Sequence, residues 1–168
     1  AYVEFFRSVP ALVTILLVNF GVPLAFGRRV PGGLLGIAAV GLGIVAAAYM
    51  AETIRAGIEA VPRGQMEAAR SLGMRPSQAM FSIILPQAFR IIIPPLTNEF
   101  VLLIKDTSLL FVVGTTPLTR ELTKFGRDTM QTLGNATPMV VAAFIYLVIT
   151  LPLTYLVRRL EKRGARGR

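Results

Sequence analysis

The 168-residue sequence contains no Cys and no His. Their absence excludes disulfides, thiol nucleophiles, Cys/His metal sites and histidine acid–base catalysis together. No paired-carboxylate motif stands in for them, so the sequence offers no catalytic residue and no metal ligand set. A Gly-rich phosphate loop of the GxxxxGK[ST] kind is missing too, so any ATP this protein uses must be bound by another chain. Charge is also scarce. Charged residues make up 16% of the chain and hydrophobic ones 54%, a balance that would leave a soluble domain with far too much apolar surface facing water.

The few charges are clustered. Ser8 to Gly27, Val30 to Ala51 and Thr129 to Val157 contain no Asp, Glu, Lys or Arg, and each run is long enough to cross a bilayer. A backbone in lipid must satisfy its own N–H and C=O groups, so these runs predict helices. The alternating ten-residue segments of a transmembrane β-barrel are not found. The fold class expected is all-α, a polytopic transmembrane helical bundle.

The net charge of +9 raises the question of nucleic acid, but a nucleic-acid binder gathers its basic residues on a soluble face. Here they flank apolar runs, as the positive-inside rule requires, so no nucleic-acid partner is expected.

Tyr2-Val3-Glu4-Phe5-Phe6-Arg7 has the aromatic and charged character of a membrane interface. A first helix is expected from about Ser8 to Phe26, then a turn through Arg28-Arg29 and Pro31-Gly32-Gly33, then a second helix from near Leu34. Closely spaced small residues in this helix, among them Gly41 and Ala48, suit close packing in a membrane. Glu52, Arg55 and Glu59 fall at i, i+3 and i+7 and can pair, extending the helix beyond its apolar run.

A polar stretch follows Val61-Pro62. Gly73 suits the left-handed position that ends a helix and Pro76 the first turn of the next, predicting two short helices meeting at a bend. A third long helix is expected to begin near Pro86 and to be interrupted and kinked at Pro94-Pro95. It carries Asn98 and Glu99 in an apolar setting, with Lys105-Asp106-Thr107-Ser108 beyond. Asn98, Glu99 and Thr107 are the candidate substrate-path residues: Glu99 for an amino group, Asn98 and Thr107 for hydrogen bonds. Interhelical hydrogen bonding or a salt bridge is the competing role for them. Gly114 to Asn135 reads as surface helix and loop, and a fourth helix is expected over roughly Pro138 to Val157. The basic tail from Arg158 should lie against the anionic cytoplasmic leaflet.

Four spans with that tail inside put the loop 59–86 in the cytoplasm. Twelve basic residues then lie inside, namely Arg7, Arg55, Arg63, Arg70, Arg75, Arg90 and six in the tail, against Arg28, Arg29, Lys105, Arg120, Lys124 and Arg127 outside. The bias has the expected sign.

Within the loop, Glu67-Ala68-Ala69, three residues, Gly73, nine residues, Ile83, Ile84-Leu85-Pro86 resembles the EAA loop of ABC importer permeases, whose pattern is E-A-A, three residues, G, nine residues, I-x-L-P. The resemblance is closest to the polar amino acid group, serving histidine, glutamine, glutamate, arginine and opines. Its other marks are Tyr2 to Arg7 with Pro10, Ala51-Glu52-Thr53-Ile54-Arg55-Ala56-Gly57-Ile58, and Lys105-Asp106-Thr107-Ser108-Leu109.

The resemblance implies a type I ABC importer permease fold over residues 1–168, a single transmembrane domain in a prokaryotic plasma (inner) membrane. Members usually have five spans; this sequence shows four and opens on residues that normally follow the first, so the first span is expected to be absent from it. It further implies ATP–Mg on partner ABC ATPase subunits, with no cofactor in this chain. A second permease subunit, the same or different, and an extracytoplasmic amino-acid-binding protein are the other partners implied. Glu67, Ala68, Ala69, Gly73, Ile83, Leu85 and Pro86 become the ATPase-coupling residues. On physical grounds Glu67 can pair with partner charges, and small Ala68 and Ala69 can slot into a partner groove. An ATPase-independent channel or secondary transporter, with Glu99 and Lys105 as ion-path residues, is the alternative.

Overall fold

A computed structural model describes residues 1–27, 33–113 and 120–166, and every regular element among them is a helix. The turn expected at residues 28–32, Pro117 and the last two residues lie outside this set.

The expected first helix begins at Ala11 instead of Ser8, and a separate short helix precedes it. α1, Tyr2–Ser8, and α2, Ala11–Phe26, meet at 105°. The cause is local: Pro10 has no N–H and pushes the residue before it out of the helical region, and Val9 is extended at φ −93°, ψ 131°. Ser8 therefore ends the interfacial helix and does not begin the membrane one.

α3, Gly33–Glu59, is the centre of the bundle and packs against α1, α2 and the long helix that follows the loop. The Tyr2 hydroxyl donates to the Ile44 carbonyl at 2.7 Å, and the Arg7 guanidinium lies 3.5 Å from Glu52 and over the Tyr49 ring. The charged end of α3 pairs as its spacing predicts: Arg55 donates to Glu52 at 3.1 Å and to Glu59 at 2.7 Å. Four charges thus run from α1 to the last turn of α3.

α4, Arg63–Ser71, and α5, Pro76–Ala79, are the two short helices of the loop. α5 does not stop there. It widens into a π stretch at Met80–Ile84 and continues as α6, Leu85–Asp106, ending in a 3₁₀ stretch, Thr107–Val112. The long helix thus begins at Pro76 and not near Pro86. Pro86 explains the widening, since its ring would press on the carbonyl four residues back and an i→i+5 turn moves that carbonyl away; the Leu85 N–H donates to the Met80 carbonyl. Pro94 and Pro95 do not interrupt α6. In hydrocarbon a broken helix would expose more backbone than the carbonyls two prolines leave unpaired.

α7, Leu122–Leu133, is the expected surface helix, capped by Glu121, whose carboxylate accepts from the Thr123 N–H at 2.8 Å and from the Lys124 N–H. The same carboxylate accepts from the Tyr146 hydroxyl at 3.1 Å, tying α7 to α8, Thr137–Arg166. α8 is longer than the expected span, carrying on through Arg158 and Arg159. Among the described residues three helices are long and apolar enough to cross a membrane, four if the bent α1–α2 pair counts as one.

Candidate functional site

α4 is held in shape by its own ending. Gly73 takes the left-handed conformation at φ +82°, its N–H donates to the Arg70 carbonyl at 3.0 Å, and the Met74 N–H reaches back to Ala69 at 3.1 Å. These two bonds form a Schellman ending, which satisfies carbonyls a helix terminus otherwise leaves free. Underneath, Val61 packs with Ile84, Ala88 and Ile92 of the long helix, and Met66, Met80 and Ile83 close around them. The short helix is thereby seated on the foot of α6 through apolar contact.

The seven coupling candidates divide into two sets. Glu67, Ala68, Gly73 and Pro86 are exposed. Ala69 is 1% exposed and Ile83 and Leu85 are half-buried, so Ala69 fits against its own chain and not into a partner groove. What the sequence motif did not single out is Leu72, 84% exposed at the end of α4, and Phe81, exposed on the π stretch. Large apolar side chains beside exposed Glu67, Arg70 and Arg75 make a surface of the kind a protein partner covers.

The path candidates lie on α6 and its 3₁₀ extension. Asn98 is exposed, Glu99 and Thr107 half-buried. The Thr107 hydroxyl donates to the Ile104 carbonyl at 2.6 Å, so it closes its own helix end. Thr107 stands about 13.5 Å beyond Asn98 and half a turn round, so regular helix geometry does not bring these two together. Glu99 and Asp106, seven apart, do share a stripe with Ile92, and Ile92 is buried. Among the described residues neither carboxylate has an ion-pair partner. Asn98 shares its side of α6 with Lys105, seven residues on, also exposed. The opposite side of α6 carries exposed Phe89, Ile93 and Phe100, the character of a lipid-facing surface.

Two polar residues escaped the reading of the sequence. Thr14 and Asn19 are 3% and 2% exposed on α2, and among the described residues Thr14 Oγ1 and Asn19 Oδ1 have no hydrogen-bond partner. Both lie in a charge-free run, and a search for ionisable groups passes over a hydroxyl and an amide.

Comparison with known proteins places the chain among transport proteins. The probable glutamine ABC transporter permease protein GlnM of Bacillus subtilis is 45% identical over 163 residues, 97% of this chain and 73% of that protein. The glutamate/aspartate import permease protein GltK of Escherichia coli is 39% identical over 173 residues, 98% of this chain and 75% of that one. The arginine transport system permease protein ArtQ of Bacillus subtilis is 35% identical, with 96% and 72% covered. A crystal structure of an amino acid ABC transporter with histidines superposes with a TM-score of 0.82 at 38% identity, covering 96% of this chain and 73% of that one. Residues 1–166 match the family described as binding-protein-dependent transport system inner membrane component, and the chain belongs to that family.

Proposed function

We propose that this chain is the permease subunit of an ATP-driven importer and forms part of the path for a polar amino acid across a prokaryotic plasma membrane. The observation that carries the reading is α4: a nine-residue helix fixed by Gly73, seated on the foot of α6, and presenting Glu67, Ala68 and Leu72 outward. A helix so placed can take a push from a docked ATPase and pass it to the spans. The names of the relatives, covering glutamine, arginine and glutamate/aspartate, support the substrate class.

In this reading the loop 59–86 and the C-terminus are cytoplasmic, following the basic residues. ATP–Mg is bound by separate ATPase subunits, a second permease subunit completes the path, and an extracytoplasmic binding protein delivers substrate. ATP favours one arrangement of the pair through contacts that differ between the two arrangements. Within the path, Glu99 meets the substrate's ammonium group and Asn98 hydrogen-bonds its polar end.

Two substitutions test the two surfaces separately. Glu67→Arg should lower both ATPase recovered with the purified complex and uptake of labelled L-glutamine, L-arginine or L-glutamate; an intact complex with normal uptake would sink the reading. Uptake that persists without any ATPase would favour a channel instead. Glu99→Gln should leave ATPase recovery unchanged and cut uptake about tenfold, the effect of losing about 1.4 kcal/mol of charge-assisted contact. Unchanged uptake in that variant removes Glu99 from the path.

A further inference from the structure

α2 has two faces of opposite character. Val13, Leu17, Phe20 and Leu24 are exposed and, at i, i+4, i+7 and i+11, form one stripe. Ile15, fully buried, sits on the other side with Thr14 and Asn19 to either side of it. The two polar side chains therefore point into the bundle, where neither lipid nor a subunit docked on the exposed stripe reaches them.

Among the described residues neither Thr14 Oγ1 nor Asn19 Oδ1 has a hydrogen-bond partner. Ile15, which lies between them, packs into an apolar cluster with Ala38, Leu42, Leu110 and Val113. An unpaired buried polar group is costly, and no bulk water reaches a hydrocarbon interior to offset it. Apolar residues of similar size would have avoided that cost.

The missing partner cannot enter from α3. A side-chain carbon added at Gly41 would lie 3.2 Å from the Ile15 Cα, so α2 and α3 are already in close contact. Ile15 also packs against the short 3₁₀ segment through Leu110 and, just after it, Val113. This segment follows directly from Lys105 and Asp106 at the end of the helix that carries Glu99.

We infer that the seam between α2 and the Leu110–Val113 segment opens in a second arrangement of the bundle, and that Thr14 and Asn19 then line the translocation path and hydrogen-bond the amino acid. The inference rests on the permease reading and adds to it a station on α2. A neutral hydroxyl and a carboxamide, about 7.5 Å apart along the helix axis, can each donate and accept. They suit the carboxylate and ammonium of a zwitterion without favouring one net charge.

The chain itself contains no Cys, so thiols can be introduced singly. Asn19→Cys and Thr14→Cys, with Leu17→Cys as the lipid-facing control, are placed in the complete transporter in proteoliposomes. Each is treated with a charged, membrane-impermeant methanethiosulfonate, with and without ATP and vanadate. The expected result is labelling of the Asn19→Cys and Thr14→Cys thiols about tenfold faster in one nucleotide condition than in the other, slowed by the transported amino acid. A transport-active complex in which these thiols react no faster than the Leu17→Cys thiol in either condition overturns the inference and leaves the permease reading standing. A parent complex without uptake removes both.

Asn19→Leu gives a second measurement. The inference predicts roughly a fivefold rise in KM for uptake, the effect of one lost hydrogen bond, with Tm equal to or above the parent's. A lower Tm with KM unchanged marks a purely structural role and overturns the inference, as does no change in either.

Discussion

Replacing Gly73 with Pro should abolish uptake while leaving the chain inserted in the membrane. Pro fixes φ near −65° and has no N–H, whereas Gly73 sits at φ +82° and donates to the Arg70 carbonyl. Both requirements fail together. The lost hydrogen bond costs about 1 kcal/mol, and the reversed φ forces Met74 and Arg75 onto another course, so α4 loses the ending that sets its angle to α5. No carbon added at Gly73 would meet a neighbour, so the damage is conformational and not steric. Gly73→Asn is the matched control, because Asn tolerates the left-handed region. Its uptake should fall far less. Membrane-fraction level, ATPase recovery and uptake, measured on both variants, check this. Equal uptake by the Pro variant and the parent would show that the shape of α4 does not matter.

Gly57→Val should disrupt the bundle where α3 crosses α6. A Cβ on Gly57 would collide with Ile92 Cγ1, and clearing it requires the buried Ile92 side chain to leave its place in a packed cluster. Overpacking of this kind costs about 1–3 kcal/mol. The position is sensitive because Ile92 also closes the cluster with Val61, Ile84 and Ala88 beneath α4. Thermal denaturation of the detergent-purified complex should show a lower Tm and less assembled transporter. Ile92→Ala in the same chain should recover some of the loss, since residues in contact do not act additively. A Gly57→Val complex with the parent's Tm would contradict the close packing described.

The features legible in the sequence were those with short-range causes. Gly73 and Pro76 mark an ending and a beginning by φ preference alone, and the structure follows them. The Glu52, Arg55 and Glu59 spacing reports one helical face, and the ion pairs form there. Pro10 carried the signal for the bend between α1 and α2, but an apolar run that continues through it read as one span. The prolines at 86, 94 and 95 misled in the opposite direction. Rules for helix breaking are drawn from water, where a released carbonyl is hydrated; in lipid the helix persists through Pro94 and Pro95, and at its foot it accommodates Pro86 by widening. The inward set of Ala69 and the burial of Thr14 and Asn19 depend on which helices become neighbours, and spacing along one helix does not determine that.

The unbroken helix from Pro76 to Val112 has a mechanical consequence. Its 37 residues make a rod about 55 Å long, well beyond the roughly 30 Å of a hydrocarbon core. One end carries the seat of α4 and the other ends against Ile15 of α2. Such a rod can act as a lever: a tilt of about 5° imposed at the α4 end swings the far end through about 5 Å. That distance is comparable to the width of a side chain, enough to separate a pair of packed surfaces without melting any secondary structure.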